Sequence, residues 1–494
     1  MNSHRMPRAT CVAVVSALLV LGSMASSRAD IPSRDDDGDG FQNCAEGCDL
    51  RVSTRGTDPR VFQGPSHQPA VVSAADRVAL TWWQESAHEK ALFLALFDAA
   101  GGPLLAETEI DEPESSGPAV APAIVWNGID LAIAWIRRFR VAFARFTPAG
   151  ARIGEVVEIE NPDAEETDAP SLVWGGSEYG LFWRNHFSDS TGLAPFLAFT
   201  RISAVGQPAG QVVRLSDVPT RGGIASVWTG REYVAAWSTG EGSDAEIFLT
   251  RVDGFGTKQG TDIRLTRAPG FSGAPALAWT GRALILVWED RRDGSPRIYL
   301  ARFGADGTRL TSDLRLSEPS SAAASPTSVW TGSKMVASWE ETRTDHVELE
   351  LARLSTGGVR IATDLFLGDD DFASGSPSLT WTGSGPVLAW VDSRDLEPLG
   401  LFGGEVYLRR VLREDCDDTD SGTWPGANEV CDGRDNDCDG FVDEDCDDRR
   451  SGQCDSSSQR LSRFSTACQA ETLRPKGQRG PNPCGCLRAP ARLP

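Results

Sequence analysis

Between residues 59 and 413 the chain alternates short apolar-rich runs with Gly-, Asp- and Thr-containing breaks. In one unit, Ala276 to Trp279 and Ala283 to Trp288 flank Thr280-Gly281-Arg282. Arg297 to Phe303 follows, and Asp313 to Ser317 comes after Gly304-Ala305-Asp306-Gly307. Runs of this length bounded by turn residues predict four short antiparallel strands. The unit recurs. Tryptophans stand nine apart at Trp126 and Trp135, Trp174 and Trp183, Trp228 and Trp237, Trp279 and Trp288, Trp330 and Trp339, and Trp381 and Trp390. A seventh unit opens the series, because Trp82 lies thirteen residues after Pro69, as Trp288 does after Pro275, with Ser73 in place of the first Trp. The second Trp recurs at spacings of 53, 48, 54, 51, 51 and 51 residues.

A four-stranded unit of about 51 residues repeated seven times predicts an all-β fold, a seven-bladed β-propeller whose blades bury their faces against one another. The Trp pairs are expected between blades, where large rings fill the wedge. The last unit has a third strand at Glu405 to Leu412 and no room for a fourth. Arg60 to Gln63 is therefore expected to pair beside 405–412 and close the ring.

Charge divides the chain differently. The whole carries 48 Lys and Arg against 70 Asp and Glu, a net of −22 that disfavours nucleic acid and anionic lipid as partners. Residues 414–448 hold fifteen acids and one base, Arg434, and a second acidic cluster spans Asp35 to Asp49. Residues 449–494 are basic, rich in Gly, Pro and Ser, and without periodicity, which predicts a poorly ordered tail.

Residues 1–29 begin with Arg5 and Arg8, continue through an apolar run from Cys11 to Gly22 and end at Ser27-Arg28-Ala29. This predicts a secretory signal and an exported, secreted or surface protein; the run is too short for a membrane span. Ten cysteines follow, all outside residues 49–415, and an even count in an exported chain predicts disulfides. Cys44 with Cys48, Cys416 with Cys431 and Cys438 with Cys446 are guesses at pairs, since sequence does not fix connectivity. The expected organisation is signal 1–29, calcium-loop segment 30–58, propeller 59–413, acidic metal-binding motif 414–448 and tail 449–494.

The acidic segments carry the clearest chemistry. Asp35 to Glu46 fits D-x-[DN]-x-[DN]-G-x5-E: Asp35, Asp37 and Asp39 supply oxygens, Gly40 the sharp turn, Phe41 a carbonyl, Asn43 the ninth position and Glu46 a bidentate carboxylate. No long helices flank this loop, so it is similar to thrombospondin type 3 or single extracellular calcium loops rather than a paired EF-hand. In the second segment Asp435, Asp437 and Asp439 with Gly440 repeat the start of such a loop, Phe441 offers its carbonyl, and Asp443 stands ninth. Cys446 occupies the twelfth position, leaving Asp443 or Glu444 to complete the shell. The order Asp415-Cys416-Asp417-Asp418-Thr419-Asp420, Pro425-Gly426-Ala427-Asn428-Glu429, Cys431-Asp432-Gly433 and Asp435 to Gly440 resembles the MopE-type metal-binding motif of exported bacterial proteins. That resemblance adds Asp415, Asp417, Asp418, Asp420 and Glu429 as ligand candidates and raises copper as an ion. No His or Met lies beyond His346, and hard oxygen ligands favour Ca²⁺ over copper.

The Trp-Thr-Gly, second Trp and trailing acid-x-Arg of the repeats resemble exported bacterial propeller-like repeats of mostly unassigned function, which bears on fold only. Asp290 with Arg292, Glu341 with Arg343 and Asp392 with Arg394 recur at one repeat position, which favours structural ion pairs over a pocket for an anionic or sugar ligand. No catalytic motif stands out among His67, His88, His186 and His346. Cys484-Gly485-Cys486 resembles the start of myxobacterial surface-sorting tails, without their apolar span. The expected function is a monomeric calcium-binding surface or secreted propeller for a glycan or protein ligand, the calcium structural. A glycan hydrolase and a copper-binding protein are the alternatives.

Overall fold

In the computed structural model the described residues are 49–411, apart from 54–65, 86–89, 99–100, 112–120, 160–165, 187, 190–191, 194, 217, 221, 240–241, 344–345, 362–364, 368–372 and 395–403, together with Val430 and Arg434. They form seven four-stranded antiparallel sheets. Blade 1 comprises Ser66–Ala74, Arg77–Glu85, Lys90–Asp98 and Pro103–Glu109, and blade 2 Ala123–Trp126, Leu131–Arg137, Arg140–Phe146 and Arg152–Ile159. Blade 3 holds Glu166–Trp174, Glu178–His186, Phe196–Ser203 and Val213–Arg214, and blade 4 Ile224–Trp228, Glu232–Ser238, Ile247–Asp253 and Ile263–Arg264. Blade 5 holds Ser272–Trp279, Leu284–Asp290, Arg297–Phe303 and Leu314–Arg315, and blade 6 Ala322–Trp330, Met335–Arg343, His346–Leu354 and Leu365–Leu367. Blade 7 takes Ser374–Trp381, Pro386–Asp392 and Glu405–Arg410 from the end of the ring, and Leu50–Arg51 from its beginning.

The first strands touch their neighbours all round, blade 1 meeting blade 7, so they form the inner wall. Five of them carry a bulge at an X-Pro step, where Gln68, Ala169, Ala274, Ser325 and Ser376 take positive φ before a proline. Proline has no N–H for a ladder, and an innermost edge strand with a bulge is where a sheet tolerates it. Trp-Thr-Gly is the hairpin that follows. Thr280 donates from its N–H and its hydroxyl to Ala283 O and accepts Ala283 N–H, while Gly281 supplies φ +83°. Thr229, Thr331 and Thr382 close their turns in the same way.

Seven apolar clusters hold the ring, each drawn from two adjacent blades. Trp82, Trp135, Trp183, Trp237, Trp288, Trp339 and Trp390 are fully buried and face the preceding blade, Trp82 reaching blade 7. The interblade position expected for the Trp pairs is thus observed for the second Trp of each unit. Burying rings of this size dominates the energetics of each wedge.

Ring closure differs from expectation in its location. The strand beside Glu405–Arg410 is Leu50–Arg51, with Leu50 opposite Leu408 and Arg51 opposite Tyr407. Residues 60–63 lie outside the described residues, and the edge assigned to them is already taken. The physical reason is a repeated signature. Asp49-Leu50-Arg51-Val52-Ser53 copies Asp262-Ile263-Arg264-Leu265-Thr266 and Asp313-Leu314-Arg315-Leu316-Ser317 from the outer strands of blades 4 and 5. The hydroxyl does the same work in each copy: Ser53, Thr266 and Ser317 accept the N–H of Val406, Ile247 and Ile298. The ring therefore begins at Asp49, ten residues before the expected boundary of 59.

Candidate functional site

The recurring charges sit where the second strand ends, two residues after the buried Trp. Strand alternation places that position on the same sheet face as the indole. Asp290 is fully buried, and its Oδ2 accepts the Trp288 indole N–H at 2.9 Å and the Ser272 hydroxyl at 3.0 Å. Arg292 grips both oxygens, at 2.8 and 2.7 Å, and reaches Asp313 at 2.7 Å. Blade 7 repeats this across the ring closure. Asp392 accepts Trp390, Ser374 and Arg394, and Arg394 reaches Asp49 of the closing strand at 2.9 Å. Burial pushes both carboxyls up, but the charged hydrogen bonds from Arg292 and Arg394 outweigh it and hold them below the usual range.

Blade 6 departs from this pattern. Glu341 accepts Trp339 at 2.7 Å and the Ser321 hydroxyl, but Arg343 turns away to Glu348 at 3.4 Å and covers the Phe366 ring. Without that bidentate partner, burial prevails and the Glu341 carboxyl is raised. In blade 3 the position is Asn185, whose Oδ1 accepts Trp183 at 2.8 Å. These charges are consumed inside blades, and the structural reading of the acid-x-Arg repeat holds for Asp290 and Asp392.

Two groupings escaped the sequence reading. Asp168, at the blade 3 bulge, pairs with Arg184 and lies 3.3 Å from His186 Nε2. Glu289 and Glu340 occupy equivalent positions, one residue after the Trp, in adjacent blades 5 and 6. Glu340 accepts the Ser376 N–H at 2.8 Å, and burial raises its carboxyl, with the Glu289 charge adding to that rise. The alternation that put Trp288 and Trp339 on one face put these acids on the other, and that was the available signal.

The metal-ligand candidates from Asp35 to Glu46 and from Asp415 to Glu444 lie outside the described residues, as do the cysteines. Among the described residues no group of three or more His, Cys, Asp or Glu is arranged to hold a metal ion. Among the same residues no helix is long and apolar enough to cross a membrane. The structure does fix where both acidic segments attach. Asp49 immediately precedes the closing strand and its carboxylate lies 3.7 Å from the Arg409 guanidinium, and Val411 follows the adjoining strand Glu405–Arg410. Antiparallel pairing places Asp49 and Val411 at the same end of blade 7.

Residues 415–444 match the family model of the copper-binding MopE proteins, described as "Putative metal-binding motif". No curated protein matches the sequence. Similar solved structures include the β-propeller domain of the trilobed protease from Pyrococcus furiosus, at 7% identity and TM-score 0.42, covering 66% of this chain and 89% of that one. Pyrococcus horikoshii acylaminoacyl peptidase is 12% identical at TM-score 0.44, covering 71% of this chain and 52% of the peptidase, so the match spans about half its length. Trypanosoma rangeli sialidase is 11% identical at TM-score 0.37, covering 70% and 55%. The chain is a seven-bladed β-propeller carrying a MopE-type metal-binding motif.

Proposed function

We propose that the protein is an exported, calcium-binding propeller that serves as a surface or secreted binding protein, with the ion in a structural role. The observation that carries this reading is the donor set. Asp35, Asp37, Asp39, Asn43 and Glu46, and Asp435, Asp437, Asp439 and Asp443 or Glu444, offer hard oxygens at calcium-loop spacing. Copper is selected by imidazole, thioether or thiolate, and residues 415–444 contain no His or Met. Cys416, Cys431 and Cys438 supply thiolates only when reduced, and export favours their oxidation. The oxygen donors fit calcium and do not by themselves fit copper.

Bound calcium offsets the repulsion among the carboxylates and fixes loops that lack a core of their own. Extracellular loops of this kind bind at about 10⁻⁴ to 10⁻³ M. Calorimetric titration of the metal-stripped protein tests the reading. Calcium uptake in that range, reduced by Asp37→Asn/Asp39→Asn and by Asp437→Asn/Asp439→Asn, supports it. Tight copper uptake with no calcium uptake would overturn it in favour of metal handling.

A second reading, hydrolysis of a glycan, is favoured by two acids at equivalent positions of adjacent blades, Glu289 ion-paired to Arg291 at 2.9 Å and Glu340 accepting the Ser376 N–H at 2.8 Å with its carboxyl raised by burial. Turnover of glycosides that disappears in both Glu289→Gln and Glu340→Gln would establish it.

A further inference from the structure

We infer that the hairpin end of blades 5 to 7 docks a carboxylated glycan, its acid groups held by Arg302, Arg353 and Arg410 and its sugar faces lying against Trp330 and Trp381. The inference rests on the binding role proposed above and not on its ion.

The third strand carries an arginine at one repeat position in blades 2 to 7. Arg145, Arg201, Arg251, Arg302, Arg353 and Arg410 stand opposite Ala132, Gly180, Val234, Ile285, Val336 and Val387 of the second strand. Two residues before that partner, where the Trp-Thr-Gly hairpin ends, blades 2 to 4 place an acid on the same sheet face. Asp130 pairs with Arg145, Glu178 with Arg201 at 2.5 Å and Glu232 with Arg251 at 3.5 Å. Blades 5, 6 and 7 have Ala283, Lys334 and Gly385 there, so the arginine persists while its counter-charge is gone. Among the described residues the Arg302 side chain has no ion pair, and its buried Nε has no acceptor. Glu350, which faces blade 5 from blade 6, pairs with Arg360 at 3.1 Å instead. Arg410 donates to the Ser384 hydroxyl at 2.8 Å, and burial pushes its guanidinium below the usual range, with the Asp98 charge opposing.

Each of these arginines faces the next blade. Ile285 belongs to the apolar cluster between blades 5 and 6, and Trp330 of blade 6 packs against that cluster, so Arg302 and Trp330 border one wedge. Val336 and Leu379 share the cluster between blades 6 and 7, which brings Arg353 and Trp381 to the next wedge. Both indoles are only half-buried. A guanidinium fork matches a carboxylate, and a half-buried indole offers a flat apolar surface to the C–H face of a sugar ring. Recurrence in adjacent wedges suits a polymer. A glycan with one acid per sugar is also less densely charged than duplex nucleic acid, with one charge per ~1.7 Å, which the net −22 of the chain repels.

Calorimetric titration of the full chain with oligogalacturonate tests this, in chelator so that no calcium bridges acid to acid, beside neutral dextran and single-stranded DNA. The expected result is uptake of the oligogalacturonate and of neither control. Ala283→Glu returns to blade 5, and Lys334→Glu to blade 6, the acid of blades 2 to 4, and each should weaken binding on the order of tenfold. Glu232→Ala, which releases Arg251, should strengthen it. Lys334 is exposed, so Lys334→Glu keeps the test decisive should Ala283→Glu fail to fold. No oligogalacturonate uptake, uptake unmoved by Lys334→Glu, or tighter uptake of DNA would overturn the site. Calcium uptake is measured separately, and its absence beside intact glycan uptake would overturn the ion reading and leave this site standing.

Discussion

Asp290, Asp392 and Glu341 occupy one repeat position and meet the same kind of indole and hydroxyl, yet their surroundings shift their carboxyls in opposite directions. The difference is the arginine. Arg292 and Arg394 ligate their aspartates within two residues, whereas Arg343 is spent on Glu348. Removing one partner of a buried charge pair costs about 3–5 kcal/mol, so Asp290→Asn and Asp392→Asn should each lose an amount of that order in urea unfolding at neutral pH. Glu341→Gln should stay within about 1 kcal/mol, because its carboxylate already bears an uncompensated burial penalty. The pH dependence separates them further. The folded aspartates lie below the ordinary 3.8, so their contribution is complete above that value and is lost as pH falls through the lower folded one. Glu341 lies above its ordinary 4.5, so stability rises as pH falls through its folded value toward 4.5. Asp290→Asn should therefore weaken acid unfolding, and Glu341→Gln should remove a gain in stability on mild acidification. The acid-x-Arg spacing was legible in the sequence; that one of the three arginines turns aside was not, because Glu348 and Phe366 come from later strands.

Ala75 stands where the hairpins of blades 2 to 7 place glycine, and it holds φ +57°. Left-handed backbone costs an alanine about 1 kcal/mol relative to glycine, so Ala75→Gly should stabilise blade 1 by up to that amount, read as a higher urea midpoint. Between elements, the long basic side chain two residues after the glycine of the outer turn crosses to the blade before it. Lys258 donates to Leu215 O at 2.5 Å, Arg309 to Leu265 O and Arg360 to Leu316 O at 2.7 Å. Each caps a carbonyl at the end of the neighbour's outer strand, and the turn glycine lets the chain approach, since a Cβ at Gly307 would meet Ile263 at 2.8 Å. The outer strand is also where the sequence was misread. A ladder of two residues carries no periodicity, and only the comparison of Asp49 to Ser53 with Asp313 to Ser317 reveals it. Ser53→Ala removes the acceptor of Val406 N–H and a donor to Glu405, and should cost about 1–3 kcal/mol in urea unfolding.

At the scale of the molecule, seven Trp-centred wedges close a ring that the spacing of Trp82 to Trp390 already counted. Blade number, four strands per blade and the interblade place of the second Trp were legible because each unit repeats one apolar pattern. Closure and the burial of Glu340 were not, since both depend on contacts between residues distant in sequence. The acidic segments stand apart from the repeat, and their chemistry rests on donor type and spacing. Their points of attachment, by contrast, follow from blade 7, where Leu50 pairs with Leu408 and Asp49 lies 3.7 Å from Arg409. The most direct test of the account is thermal unfolding of the purified protein as isolated, after chelation, and after calcium or copper is restored. The account predicts that chelation lowers the unfolding temperature of the propeller and that calcium restores it while copper does not. An unfolding temperature indifferent to chelator, or restored by copper alone, would contradict it.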